Sequence, residues 1–153
     1  SSEVKVGVTR KTQMPTRWID QGAEEAIVVV EVPNRYLAGI TEVALKNHFA
    51  DKTNWRKMLT NTYDAVDLVQ EKAKVQAWLP DEVREFYNLD KNEIIAMHYP
   101  VAAYPAKVNS LNLDKTPFYQ GQLIGVKGQY LLFQDGTVFN VRSYEGYVVQ
   151  IAI

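Results

Sequence analysis

The spacing of apolar positions changes character along the chain. Val4, Val6 and Val8 alternate with other residues and predict a short strand over residues 4–9, with Gly7 inside it. Pro15 stands where a first helical turn tolerates a missing N–H, so a brief helix is expected through Gln21, with Gly22 ending it. The β-branched run from Ala26 to Val32, stopped by Pro33, predicts a strand covered on both faces. Residues 36–49 then read as a helix. Leu37, Ile40, Ala44, Leu45 and His48 fall on one side of it, and Thr41 and Glu42 lie nearer the boundary.

A longer helix is expected over residues 63–79. Tyr63, Val66, Val69, Ala73 and Ala77 form its apolar stripe, and Asp64, Asp67, Glu71 and Lys74 its wet face. Pro80 stops it, and a short acidic helix runs from Asp81 to Tyr87. From Glu93 the period becomes two. Strands are predicted over residues 94–98, 107–113, 122–126, 129–133, 138–142 and 147–153. Asp135-Gly136 between two apolar runs is the strongest hairpin signal, because a tight loop needs positive φ. Tyr99-Pro100 and Tyr104-Pro105 mark a strand end and a bend.

The fold class that follows is α+β. A small mixed α/β domain occupies residues 1–60, a helical connector 61–92, and an antiparallel β-sheet or small barrel 93–153.

Composition narrows the function classes by exclusion. The chain has 153 residues, 46% hydrophobic and 23% charged, which is the balance of a globular protein. No apolar run nears the ~18 residues of a membrane span, and no charged-then-apolar leader marks secretion, so a cytoplasmic location is expected. The absence of cysteine excludes disulfides and thiolate chemistry in these residues. The opening Ser1-Ser2-Glu3 without a Met reads as an internal start. The formal charge of −1 is uneven: residues 1–60 carry +2, residues 61–93 carry −4 and residues 94–153 carry +1. Phosphate contacts are therefore expected in the first third.

His48 and His98 are far apart and lack a metal-ligand spacing, so core, capping or ordinary half-buried roles are expected. Gly121, Gly125 and Gly128 do not join a strand to a helix, which makes them turn and bulge residues rather than a phosphate loop. The constellation that could carry chemistry lies in residues 4–57. Gly7 permits close approach to a strand, Arg17-Trp18 sits on the first helical segment, Glu42 on the next, and Asn54-Trp55-Arg56 follows. A carboxylate and an arginine in one cleft could hold a divalent cation and clamp a phosphate, as phosphodiester cleavage requires. Tyr36 and Tyr63 are candidates for the base. The plain reading of the same residues is a structural Arg17–Glu42 ion pair with Trp18 packed in the core.

Lys5-Val6-Gly7-Val8-Thr9, Arg17-Trp18, Glu42 and Asn54 resemble the GIY-YIG nuclease superfamily in order and spacing. The resemblance implies a nuclease scaffold in which Arg17, Glu42 and Asn54 are catalytic and Glu42 binds Mg²⁺ or Mn²⁺, with no organic cofactor. Lys5 stands where that superfamily has its second-motif tyrosine, and the first-strand tyrosine would precede Ser1. The whole chain also resembles an uncharacterised prokaryotic family, a domain of unknown function. The phrases that carry this include Pro15-Thr16-Arg17-Trp18-Ile19-Asp20, Asp51-Lys52-Thr53-Asn54-Trp55-Arg56 and Gly125-Val126-Lys127-Gly128-Gln129-Tyr130. Longer members imply a zinc-ribbon-like segment upstream.

Two functions are consistent with these residues. One is a nucleic-acid-binding or metal-dependent phosphodiester-cleaving protein. In it Arg10, Lys11, Arg17, Lys52, Arg56 and Lys57 contact phosphates, and Trp18 or Trp55 offers a stacking face. The other is a non-catalytic module whose aromatic-rich β region, with Tyr99, Tyr104, Phe118, Tyr119, Tyr130, Tyr144 and Tyr147, binds a protein or single-stranded nucleic acid. Neither involves a membrane.

Overall fold

The computed structural model describes residues 4–50 and 52–153, so expectations on Ser1, Ser2, Glu3 and Asp51 lie outside the described residues. These contain five α-helices and two sheets in a mixed α/β arrangement. None of the helices is long and apolar enough to cross a membrane.

Side-chain caps set the starts of α2, α3 and α4, and prolines those of α1 and α5. Helix α1 (Thr16–Asp20) begins after Pro15, and Gly22 ends it at φ +70°. Helix α2 (Arg35–Leu45) starts where Asn34 Oδ1 accepts the Leu37 N–H at 2.9 Å. Helix α3 (Trp55–Leu59) is capped by Asn54, and α4 (Leu68–Val75) by Asp67, whose Oδ1 accepts the Val69 and Gln70 N–H groups at 3.0 and 3.1 Å. That cap corrects the helix expected from residue 63, because a carboxylate that accepts backbone N–H groups defines a start. It continues as a 3-10 turn, Gln76–Trp78, and α5 (Asp81–Arg84) follows Pro80.

The expected stripe on this helix is also rotated. Ala73 and Ala77 are exposed, while Lys72, Val75 and Leu79 are buried. Alanine has little surface to gain from burial, and a lysine stem is apolar along most of its length. The resulting core joins Leu45 of α2, Val75 of α4, Leu79 just before Pro80, and Val83 of α5, with Val6, Val29, Leu37 and Ile40 packed against them. His48 is exposed, not in this core, and stacks on Trp78 with ring centroids 3.9 Å apart.

Strand β1 (Glu25–Ile27) pairs antiparallel with β2 (Ile94–Ala96) and forms a two-stranded sheet. The strand expected over 26–32 is thus shortened, with one further bridge from Val30 to Tyr87, and Val28, Val29 and Val30 are only half-buried. The strand expected over 4–9 reduces to a single parallel bridge, Lys5 to Ala50. Alternation is a local property, whereas a ladder needs a partner strand.

The second sheet has the order β3-β6-β5-β4, with β3 (Asn109–Ser110), β4 (Leu123–Lys127), β5 (Tyr130–Phe133) and β6 (Thr137–Asn140). It is open rather than barrel-like, and mixed rather than antiparallel, because β3 runs parallel to β6. The Asp135-Gly136 hairpin forms as expected between β5 and β6, with the Gly136 N–H on Phe133 O at 3.0 Å. Leu132 and Val138 of this sheet pack with Val108 and with Leu59 of α3 in a second core. Residues 147–153 form no strand and are exposed. Their β-branched residues suit a strand, but no unpaired edge meets them.

Candidate functional site

Several cations of the first third, Arg17 and Arg56 among them, lie on α1 and α3 or in the segments that lead into them. Lys5 Nζ donates to Gln21 Oε1 at 3.0 Å, and its backbone bridges to Ala50, so the N-terminal segment runs between α1 and the approach to α3. Gly22 touches the Met58 side chain of α3, and a Cβ at position 22 would collide with its sulfur. Arg17 on α1 and Arg56 on α3 are exposed on these adjoining elements, as are Arg10 and Lys52 beside them. Among the described residues, no carboxylate pairs with Arg10, Arg17, Lys52 or Arg56. Lys11 differs. It is held by Glu31 at 2.8 Å, which raises its pKa through the hydrogen bond and then the charge.

Trp18 and Trp55 are half-buried. The Arg56 guanidinium lies 4.2 Å over the Trp55 ring, and Trp55 stacks on Tyr130 of β5 at 5.9 Å and 11°. Arg56 is therefore held close over the Trp55 ring at an exposed position of α3.

No hydrogen bond or ion pair links Arg17, Glu42 and Asn54 among the described residues. Glu42 is exposed on α2, and Asn54 Oδ1 is occupied by the Lys57 N–H at 3.2 Å as the cap of α3. Tyr36 is exposed at the start of α2. No group of three or more His, Asp or Glu that could hold a metal ion occurs among the described residues.

A cluster that the sequence pattern did not single out holds α1, α3 and the larger sheet together. Lys127, the last residue of β4, is completely buried. Its ammonium is paired with Glu24, lies 3.5 Å from Asn61 Oδ1, and faces the rings of Tyr99 and Tyr104 at 5.3 and 4.9 Å. The Tyr99 hydroxyl donates to Ala23 O at 2.7 Å. Burial, with the Glu24 charge second, raises the pKa values of Tyr99, Tyr104 and Tyr63. Asn61, at φ +54°, ends α3 in the left-handed region that asparagine tolerates and so carries its amide to the lysine. Gly128 follows Lys127 at φ +58°, and a Cβ there would meet Asp20 O and Gly22 N at 3.2 Å. Only glycine lets the β4–β5 turn approach the end of α1 this closely.

Alternation offered one signal for this cluster. Residues 125 and 127 share a strand face, so a sheet that buries Gly125 also buries Lys127. The partner Glu24, about a hundred positions earlier, has no local signature.

The family described as "Protein of unknown function (DUF2797)" matches residues 1–149. The chain belongs to this family. The long phrases around Arg17, Asn54 and Lys127 thus lie within the matched region of a family member, as the whole-chain resemblance expects. No curated protein and no solved structure matches the chain.

Chemically, the two features are complementary. The lysine cluster has its ammonium directed inward at Glu24, Asn61 and two rings, which suits a fastener. Arg17 of α1 and Arg56 of α3 are exposed, no carboxylate pairs with either among the described residues, and they can take up phosphate oxygens. The aromatic residues of the C-terminal half are mostly in internal contacts. Tyr119 donates to Asp135 at 3.0 Å, Tyr144 stacks on Phe139, Tyr147 donates to Asp114 at 2.9 Å, and Phe118 is exposed.

Proposed function

We propose that this protein binds nucleic acid through the basic face of α1 and α3. Arg10, Arg17, Lys52 and Arg56 contact phosphates, and the Arg56–Trp55 pair supports an unstacked base. The observation that carries the reading is the Arg56 guanidinium lying 4.2 Å over Trp55, which is itself stacked on Tyr130. A cation already held over an aromatic support loses little side-chain freedom on binding. Arg10 and Arg17, with which no carboxylate pairs among the described residues, add positive charge that attracts a polyanion despite the overall charge of −1.

Binding is favoured over cleavage by the position of Asn54, whose Oδ1 is taken up by the helix cap. Cleavage on a GIY-YIG-like scaffold would rest on Glu42 with Mg²⁺ or Mn²⁺, and it has its own test. Glu42→Ala would abolish metal-dependent nicking while leaving oligonucleotide binding unchanged.

The binding test is fluorescence anisotropy with single-stranded DNA and RNA oligonucleotides across a salt series. Affinity should fall with salt. The Arg17→Ala, Arg56→Ala double variant should bind more weakly, and the slope of log K against log salt should decrease by about 0.7 for each phosphate that the protein no longer neutralises. An affinity indifferent to salt, or an unchanged double variant, refutes the assignment.

A further inference from the structure

Two lysines of this chain are buried almost equally and are treated very differently. Lys127 is completely buried and meets a carboxylate, an amide oxygen and two tyrosine faces. Lys72, on α4, is 2% exposed, and no carboxylate pairs with it among the described residues. Its ammonium donates one hydrogen bond, to the backbone carbonyl of Lys91, and lies 5.7 Å from the Tyr87 ring. Two of its three donors are left without an acceptor among the described residues. A buried cation in that state is costly unless a counter-charge reaches it. Burial first, and the Lys91 charge second, lower its pKa.

Lys72 borders an open cleft of about 390 Å³ that Glu31, Glu85, Tyr87 and Lys91 also line. Glu31 is engaged by Lys11 at 2.8 Å and more loosely by Lys91 at 3.5 Å. Three cations, Lys11, Lys72 and Lys91, thus face two carboxylates, Glu31 and Glu85, and leave one positive charge in excess. The amine with the fewest partners is the most buried of the three.

We propose that this cleft is a binding site for a small oxyanion, a phosphate or carboxylate group, held by the ammonium groups of Lys72 and Lys91. The ligand supplies the counter-charge that Lys127 receives from Glu24 and that Lys72 lacks. Two charge-assisted hydrogen bonds from a largely dehydrated ammonium form the core of the site. Lys91, exposed and loosely held, closes over the group from the rim. The site shares no residue with the basic face of α1 and α3.

The test titrates the full chain with inorganic phosphate in one arm and acetate in the other, against chloride at matched ionic strength. Calorimetry measures affinity, and the ¹³Cε resonance of Lys72 reports the contact in the wild-type protein. Saturable binding of either oxyanion that moves the Lys72 resonance is expected, and the tighter arm identifies the group. Lys72→Met should weaken that binding by about tenfold or more, the equivalent of one charged hydrogen bond. Lys91→Gln should weaken it less. Phosphate and acetate that leave the Lys72 resonance where chloride leaves it overturn the proposal, whether or not the Lys72→Met variant folds. So does a folded Lys72→Met variant that binds as tightly as the wild type.

Discussion

Glu24→Gln isolates the role of the buried lysine. The substitution keeps the shape of the side chain and removes the only carboxylate paired with Lys127 among the described residues. Removing one partner of a fully buried ion pair costs about 3–5 kcal/mol, because the remaining charge is uncompensated. Two features reduce that figure here. The Glu24 side chain is 30% exposed, so water already screens part of the pair. The Tyr99 and Tyr104 rings, at 5.3 and 4.9 Å, still face the ammonium and are worth roughly 0.5–2 kcal/mol together. A loss of about 2–3 kcal/mol is therefore expected, which in a chain of this length lowers Tm by about 4–12 °C. Lys127→Met removes the cation instead. It leaves Glu24 partly solvated, and a flexible apolar side chain occupies the space of the stem, so the cost should stay below about 1 kcal/mol. Urea unfolding followed by tryptophan fluorescence measures both variants and their combination. The order of stability should be Lys127→Met above Glu24→Gln, with the double variant close to Lys127→Met. A Glu24→Gln protein at least as stable as Lys127→Met would refute the account of Lys127 as a buried charge held by its partner.

Gly128→Ala should destabilise by about 1–3 kcal/mol in the same unfolding assay, through the left-handed φ and the approach to Asp20 O and Gly22 N. Gly39→Ala, inside α2 with open space around it, should stabilise by about 0.5–1 kcal/mol and serves as the control. Tyr99, Tyr104 and Tyr63 keep their protons in the folded state to higher pH than free phenols do, because burial and Glu24 disfavour the anion. Their raised folded values give a stability contribution that is complete below the unfolded pKa of about 10 and is lost as pH rises beyond it. Absorbance at 295 nm should show some tyrosines ionising only with unfolding. Reversible ionisation of all nine near pH 10 in the folded protein would contradict the partial burial of Tyr99 and Tyr104.

Much of the local structure was legible along the chain. Pro15 and Gly22 bracket α1, Pro33 precedes the Asn34 cap of α2, and Asp135-Gly136 turns the β5–β6 hairpin. These signals act over a few residues, where backbone sterics and capping hydrogen bonds decide the outcome. The unequal distribution of charge likewise placed a positive excess in the segment that holds Arg10, Arg17 and Arg56. Strand length and sheet direction were not legible. Residues 4–9 and 147–153 have the alternation of strands, but a ladder needs a free edge at the right distance, and pairing joins residues far apart in sequence. The parallel β3–β6 pair and the open sheet follow from that same non-local choice.

The candidate sites divide in the same way. Residue type and spacing by themselves determined which cations and aromatics could act, Arg10, Arg17, Trp55 and Arg56 among them. Tertiary structure decided their circumstances: Arg56 lies on Trp55, Asn54 caps α3, and Glu42 is exposed on α2. It alone distinguished Lys127 from Lys72. Both are lysines in segments read as partly apolar, and both are buried. Whether a buried ammonium has a counter-charge depends on what another part of the chain brings to within a few ångströms, and short-range order carries no record of that.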